Sequence, residues 1–174
     1  TILTTAAVVD FSRILFSEDC TGEPGPMDAF QHCMRLAGPL FDAAARADAT
    51  EQQVQDAYML LLGAATVTKA TQLHVHDTHA NTPLLVPLAK IDVCFTAKLE
   101  QELAWANLVF LMELKKSLGD AKSYTAGVCQ LYSRACEVLK QQPTRQVVFA
   151  ALASATHIEF WRFERDARMA GGVL

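Results

Sequence analysis

Hydrophobic positions recur at helical spacing through the first part of this chain and then gather into short runs bracketed by turns. From Met27 onward, Phe30, Cys33, Met34, Ala37, Leu40 and Phe41 keep a helical period, and Gly38-Pro39 is expected to divide that run into two short helices. Asp48-Ala49-Thr50-Glu51 precedes Val54, Ala57, Tyr58, Leu61 and Leu62, which predicts a helix of about four turns capped by Thr50 or Asp48. His74 to Pro83 is polar and turn-rich. Leu84-Leu85-Val86 and Ile91-Asp92-Val93-Cys94-Phe95-Thr96, bracketed by prolines, read as short strands. Trp105 to Leu114 carries Leu108 to Met112 in series, the pattern of a central strand buried on both faces, and ends in charge at Glu113-Leu114-Lys115-Lys116. Ser123 to Gln141 predicts a helix with Val128, Leu131, Ala135, Val138 and Leu139 on its apolar side, stopped by Pro143. Two strands, Gln146 to Leu152 and His157 to Phe163, complete a mixed α/β order with helices covering a sheet.

Composition narrows the function classes. With 174 residues, 51% of them hydrophobic and 20% charged, the chain can bury a substantial core, which excludes a disordered tail or a disulfide-stapled miniprotein. We expect a single domain over residues 1–174, with residues 1–26 a leading segment and loop that ends in Thr21-Gly22-Glu23-Pro24-Gly25-Pro26. The net charge of -4 excludes a generic basic nucleic-acid binder, so any basic surface must be local. Lys115, Lys116, Lys122, Arg134, Lys140 and Arg145 supply candidates for it. No apolar stretch approaches the roughly 20 residues that span a bilayer, and the first residues lack the basic start of a signal peptide, so no membrane association is expected. Five scattered cysteines without a C-x-x-C pair argue against a disulfide framework or a zinc ribbon. They read as reduced, mostly buried thiols in an intracellular compartment, with Cys94 a core residue.

Chemistry enters at Asp92 and Glu113-Leu114-Lys115. Alternation along a strand puts Glu113 and Lys115 on one face, and with Asp92 pointing the same way two carboxylates and an ammonium converge. Hard divalent cations take oxygen ligands and keep several waters, so two carboxylates suffice when phosphate supplies the rest. A buried lone carboxylate beside Ile91 and Val93 is costly unless paired or metal-bound, which makes Asp92 the strongest single candidate. The bland alternative for Glu113 and Lys115 is a solvated, salt-bridged rim. His74-Val75-His76-Asp77-Thr78-His79 offers a second cluster, similar to the H-x-H-x-D-H of metallo-β-lactamase-type hydrolases with the Asp displaced by one position. Its alternatives are a zinc site using His74, His76 and His79, or an exposed polar loop. Phe160-Trp161-Arg162-Phe163 reads either as a stacking platform for bases or as a strand half in the core. His157 reads as structural.

Asp92 followed by Glu113-Leu114-Lys115 resembles the signature of the PD-(D/E)XK nuclease superfamily, the restriction-endonuclease-like fold, with an Asp on one strand and Glu-x-Lys on its hairpin partner. From Leu108 to Arg165, the runs Leu108 to Lys115, Gln130-Leu131-Tyr132, Gln142 to Arg145 and Ile158 to Arg165 look like nuclease-like domains joined to kinase-like modules in fungal kinase-associated proteins and Crinkler-type effectors. The chain departs from the pattern in having Ile91 rather than Pro before Asp92, and Tyr132 only two residues after Gln130. The resemblance implies a mixed central sheet flanked by helices and a Mg²⁺- or Mn²⁺-dependent hydrolysis of phosphodiester bonds in DNA. It implies Asp92 and Glu113 as metal ligands, with the Leu114 carbonyl as a further one. Lys115 would position the attacking water and stabilise charge at phosphorus, and Gln130 would support the water or the strand backbone. The acidic residue of the family's first helix, an additional candidate metal ligand, corresponds to Glu51, with Asp48 and Asp56 competing for the role. The family also contains inactive versions, so the alternative is a non-catalytic module that binds nucleic acid or packs against a kinase-like domain of a longer chain. An effector of this kind acting on DNA would be nuclear, and the ending at Gly171-Gly172-Val173-Leu174 is expected to be that of an excised domain.

Overall fold

A computed structural model describes residues 26–67, 73–78, 91–97, 103–165 and 172–173. Two helices open the described chain, α1 (Pro26–Ala44) and α2 (Glu51–Val67). Cys33, Ala37 and Ala44 form the buried row of α1 and lie against α2, whose Val54, Ala57, Tyr58 and Leu62 are buried in turn. The run expected to split at Gly38-Pro39 is one helix with Pro39 inside it. Pro39 removes the amide that would have bonded the Arg35 carbonyl, but Arg35 and Pro39 both lie on the exposed face, where water can serve that carbonyl. Thr50 rather than Asp48 caps α2. Its hydroxyl accepts from the Gln53 amide at 3.3 Å while Gln53 Oε1 accepts from the Thr50 amide at 2.8 Å, a reciprocal cap that fixes the first turn.

The strands form one mixed sheet in sequence order: β1 (His74–Asp77), β2 (Val93–Thr96), β3 (Leu108–Leu114), β4 (Val147–Ala153), β5 (Ile158–Glu164) and the two-residue β6 (Gly172–Val173). Every neighbouring pair is antiparallel except β3 and β4, which run parallel because the helix α3 (Ala121–Gln141) connects them. The mixed α/β class expected from the element order is the observed one. Alternation divides the sheet into two faces. Val93, Phe95, Phe110, Met112 and Leu114 pack with Val54, Tyr58 and Leu62 on the α1–α2 side. Ile91, Cys94, Leu111, Val148, Ala150 and Leu152 pack with Leu131, Ala135 and Val138 of α3 on the other. Having hydrophobic residues on both faces explains the continuous run in β3, which is buried at every position but the half-buried Val109.

Several local expectations change. His74 to Asp77 is a strand, not a turn, because register with β2 carries Val75 to Phe95 and His76 Nε2 to within 2.9 Å of Thr96 Oγ1, so pairing overrides local polarity. Trp105 to Asn107 forms a 3₁₀ turn ahead of β3. Asp92 sits at the bend immediately before β2 rather than within it. The expected strand at Leu84-Leu85-Val86 and the segment before Pro26 lie outside the described residues. Cys33 and Cys94 are buried, but Cys129 and Cys136 are exposed on α3, which corrects the reading of mostly buried thiols for that helix.

Behind the C-terminus of α3 a set of side chains satisfies main-chain carbonyls that no strand partner reaches. Arg145 donates from Nη1 to the Leu108 carbonyl at 2.6 Å, from Nη2 to Val109 at 2.6 Å and from Nε to Val147 at 2.7 Å. Gln142 Nε2 donates to Trp105 and Leu108 at 2.8 and 2.9 Å. Arg165 donates to the carbonyls of Arg145 and Gln142 at 2.9 and 2.8 Å, and to that of Leu139. Arg145 therefore stitches the start of β3 to the start of β4 and does not belong to a basic binding surface. A helix the length of α3, about 30 Å, separates it from Lys115. Replacing Arg145 by Ala removes the donor from the Val109 and Val147 carbonyls and leaves Leu108 to Gln142 alone, and urea unfolding is expected to register a loss of about 2 kcal/mol. Arg145→Lys recovers little of it, since a single ammonium cannot span the fork.

Candidate functional site

The opposite end of β3 gathers the charged residues. The antiparallel register Val93↔Met112, continued by one residue, sets Asp92 across from Glu113 on the α3 face of the sheet. Asp92 is held there by the Leu114 amide, which donates to its Oδ2 at 2.7 Å. Both carboxylates are withdrawn from solvent, Asp92 at 9% and Glu113 at 2% exposure. Lys115 follows as β3 ends, its amide donating to the Ala153 carbonyl at 2.8 Å, which locks it to the end of β4. Its ammonium lies 2.9 Å from Glu113 Oε1 and 3.4 Å from Glu51 Oε1. Glu51 is the first residue of α2, set by the Thr50–Gln53 cap. Of the three acids competing for the first-helix role, Asp48 pairs with Arg46 at 3.4 Å and Asp56 accepts from Gln52 at 2.8 Å, whereas Glu51 reaches Lys115.

Two carboxylates this close cannot both hold charge cheaply. Burial pushes the Glu113 carboxyl up, the neighbouring Asp92 pushes it further, and Lys115 and Arg134 oppose them, leaving it at about 7. Burial pulls the Lys115 ammonium down, but the carboxylates of Glu113, Glu51 and Asp92 outweigh it and hold it above its ordinary value. Lys115 thus stays a cation and a hydrogen-bond donor at neutral pH. Glu113 Oε2 is buried without a hydrogen-bond partner. An unserved carboxylate oxygen beside a second carboxylate is the kind of hard oxygen donor that a divalent cation takes, so this donor set fits Mg²⁺ or Mn²⁺. Among the described residues no three His, Cys, Asp or Glu side chains form a ready-made cage, so any such ion would draw its remaining ligands from main chain, water or substrate.

Helix α3 closes over this end of the sheet. A Cβ at Gly127 would meet Leu152 Cδ1 at 2.6 Å and Lys115 Cγ at 3.4 Å, so only glycine lets the helix lie this close to the lysine stem. Gln130, one of the expected catalytic residues, is half-buried one turn further on, beside the buried row of Gly127, Leu131 and Ala135. Among the described residues no hydrogen bond ties it to Asp92, Glu113 or Lys115. Arg134 stands one turn beyond Gln130, and its charge is felt at Glu113. It was expected only as part of a general basic surface. Gln55 was not singled out at all. It is 2% exposed and its amide donates at 3.0 Å to both Asp77 Oδ1 and the Asp92 carbonyl. Its position four residues after Glu51, as a polar side chain between the apolar Val54 and Ala57, was the signal available.

Of the second cluster, His74 and His76 share one face of β1 and Asp77 takes the other, while His79 lies outside the described residues. Trp161 and Phe163 are buried and stack on each other at 6.1 Å within the α3-side core, so they present no free ring faces for bases. Phe160 packs against the core on the other side. Cys94 is a core thiol that burial pushes up to about 12. His157 bonds Thr156 at 2.8 Å at the turn between β4 and β5. No helix among the described residues is long and apolar enough to cross a membrane.

The sequence model of a family described as fungal protein kinase matches residues 90–174, a little under half of the chain. The matched stretch contains Asp92, Glu113 and Lys115 and leaves Glu51 outside. No curated protein and no solved structure gives a significant match.

Two predictions follow from the local geometry. Because the Glu113 carboxyl in the fold is raised above its unfolded value of about 4.5, the folded state binds its proton more tightly. Its contribution is complete below about pH 4.5 and fades as pH rises through about 7. In EDTA, urea unfolding should therefore show stability falling by up to about 3 kcal/mol between pH 4.5 and 7.5, and Glu113→Gln should flatten that slope. Gly127→Ala should cost about 1–3 kcal/mol by overpacking against Leu152 and Lys115, measured by the same unfolding assay.

Proposed function

We propose that this chain is a divalent-metal-dependent nuclease of the PD-(D/E)XK, restriction-endonuclease-like kind, hydrolysing phosphodiester bonds in DNA. The observation that carries the reading is that Glu51, Asp92, Glu113 and Lys115, from three separate segments, meet at the end of β3, with one oxygen of the buried Glu113 carboxylate left without a hydrogen-bond partner. A merely structural ion pair at a strand end would be solvated, whereas this one lies under a helix and against the end of β4.

In this reading Asp92, Glu113 and the Leu114 carbonyl would hold the Mg²⁺ or Mn²⁺. Bound there, the ion would supply Lewis acidity toward a phosphate oxygen and acidify a water. Lys115, kept protonated by three carboxylates, donates a hydrogen bond and offsets the negative charge that grows at phosphorus. It does not act as the base. Glu51 aims the lysine by accepting from it. A carboxyl held at about 7 would have to be deprotonated to serve as a ligand, so uptake of such an ion would strengthen with pH up to about 7. Arg134, on the helix that covers the site, adds a positive charge felt at Glu113, which would favour a phosphate backbone there, and Gln130 on the same helix would support the water or the strand backbone. Such an enzyme would act in the nucleus or wherever DNA is exposed to it.

The match to the fungal protein kinase family favours a second reading, a non-catalytic module that packs against a kinase-like domain. Within these 174 residues there is no His-Arg-Asp and no Asp-Phe-Gly tripeptide, so the signatures of phosphoryl transfer are not carried by this stretch itself. Incubation of plasmid and single-stranded DNA with the protein in Mg²⁺ or Mn²⁺ distinguishes the two. Cleavage should require the metal, fall about 10²- to 10³-fold in Lys115→Ala and vanish in Glu113→Ala. Absence of cleavage, or cleavage that survives both substitutions, returns the chain to the module reading.

A further inference from the structure

Among the described side chains of α2, Gln55 is a fully buried amide, and its neighbours give it a role. Its Nε2 donates at 3.0 Å to the main-chain carbonyl of Asp92, and at 3.0 Å to Asp77 Oδ1 on β1. The Thr78 amide donates to the same Asp92 carbonyl at 3.2 Å, and the Thr78 hydroxyl donates to the carbonyl of Ile91. Asp92 stands at the bend before β2, where the Thr78 amide continues the β1–β2 register by one residue to its carbonyl. Gln55 adds a second donor to that carbonyl from the helix side, fixing the peptide that aims the carboxylate.

We infer that Gln55 is the positioning residue for Asp92. It clamps the Asp92 carbonyl so that the carboxylate stays on the Leu114 amide beside Glu113, and Asp77 orients the Gln55 amide for that task. A side-chain amide can rotate by half a turn and present oxygen instead of nitrogen. Two acceptors converging on Nε2, one of them a carboxylate, select the nitrogen. The same helix presents Glu51 to Lys115 one turn earlier, so α2 sets both the acid on one side of the site and the ammonium on the other. A shift of α2 relative to β2 would therefore move Asp92 and Lys115 together. The part that concerns metal binding rests on the nuclease reading; the part that concerns Asp92's placement does not.

The test uses the full chain with Gln55→Met, which keeps the volume and loses both hydrogen bonds, and with Asp77→Ala and Asp77→Asn at an exposed position that tolerates change. Backbone amide exchange is followed by NMR at Leu114, whose hydrogen bond reports Asp92, and at Phe110 and Met112 in the same strand. Mn²⁺ affinity is measured by calorimetry. Gln55→Met should speed exchange at Leu114 about tenfold beyond any change at Phe110 and Met112, and weaken Mn²⁺ binding about 10- to 100-fold. Asp77→Ala should move both readouts part of the way, and Asp77→Asn, which keeps an acceptor, should stay near wild type. Exchange at Leu114 that rises only in step with Phe110 and Met112 in Gln55→Met and Asp77→Ala overturns the inference. Wild type that takes up no Mn²⁺ while Leu114 responds as stated removes the nuclease reading and leaves the positioning role standing.

Discussion

Two carboxylates buried side by side at the end of a sheet have to be neutralised, and much of this fold is arranged around that requirement. Asp92 and Glu113 face each other across the β2–β3 pair, where neither can be hydrated. The main chain answers one of them through the Leu114 amide, and Lys115 answers the other. Lys115 in turn needs a fixed stem, which the hydrogen bond to Ala153 and the close approach of α3 at Gly127 provide. Remove any of these and a charge is left buried without compensation, the most expensive defect a small core can carry.

The two ends of β3 solve different problems with the same residue class. At its start, Arg145 and Arg165 spend their donors on carbonyls, tying α3 and the strands into a fixed frame. At its end, Lys115 and Arg134 stand among carboxylates, and the balance between them leaves Glu113 titrating at about 7. Rigidity at one end and electrostatic tension at the other is the arrangement expected where a fold supports chemistry. Strain kept in a site must be held by well-satisfied structure elsewhere.

What the sequence revealed, and what it withheld, follows the range of the interactions involved. The long α3, the doubly buried β3 and the strands β4 and β5 were legible because their periodicity is a local property of Leu108 to Met112, of Leu131 to Leu139 and of the runs after Pro143. Asp92, Glu113 and Lys115 were legible as a group because strand alternation carries them to one face. The strand at His74–Asp77 was not, since only its partner β2 makes a strand of a polar stretch. Pro39 misled in the other direction, because whether a proline breaks a helix depends on what faces the freed carbonyl. Gln55 escaped notice for a similar reason: its partners Asp77 and Asp92 are far along the chain, and nothing in the residue itself announces a buried amide. The choice among Asp48, Glu51 and Asp56 likewise needed the distance to Lys115.

The parallel pairing of β3 with β4 has a consequence for how the chain is made. When β3 leaves the ribosome its hydrophobic run can pair with β2, but the other edge has no partner until α3 and then Val147–Ala153 have been synthesised. During that interval Leu108 to Met112 offer an open, apolar strand edge, the surface on which nascent chains associate with one another. Lys115 and Lys116 at the end of the run, with the quick local formation of α3, act as gatekeepers over the delay. Lys115, which pairs with Glu113 and Glu51 in the finished fold, thus also places charge beside that strand edge while it is unpaired.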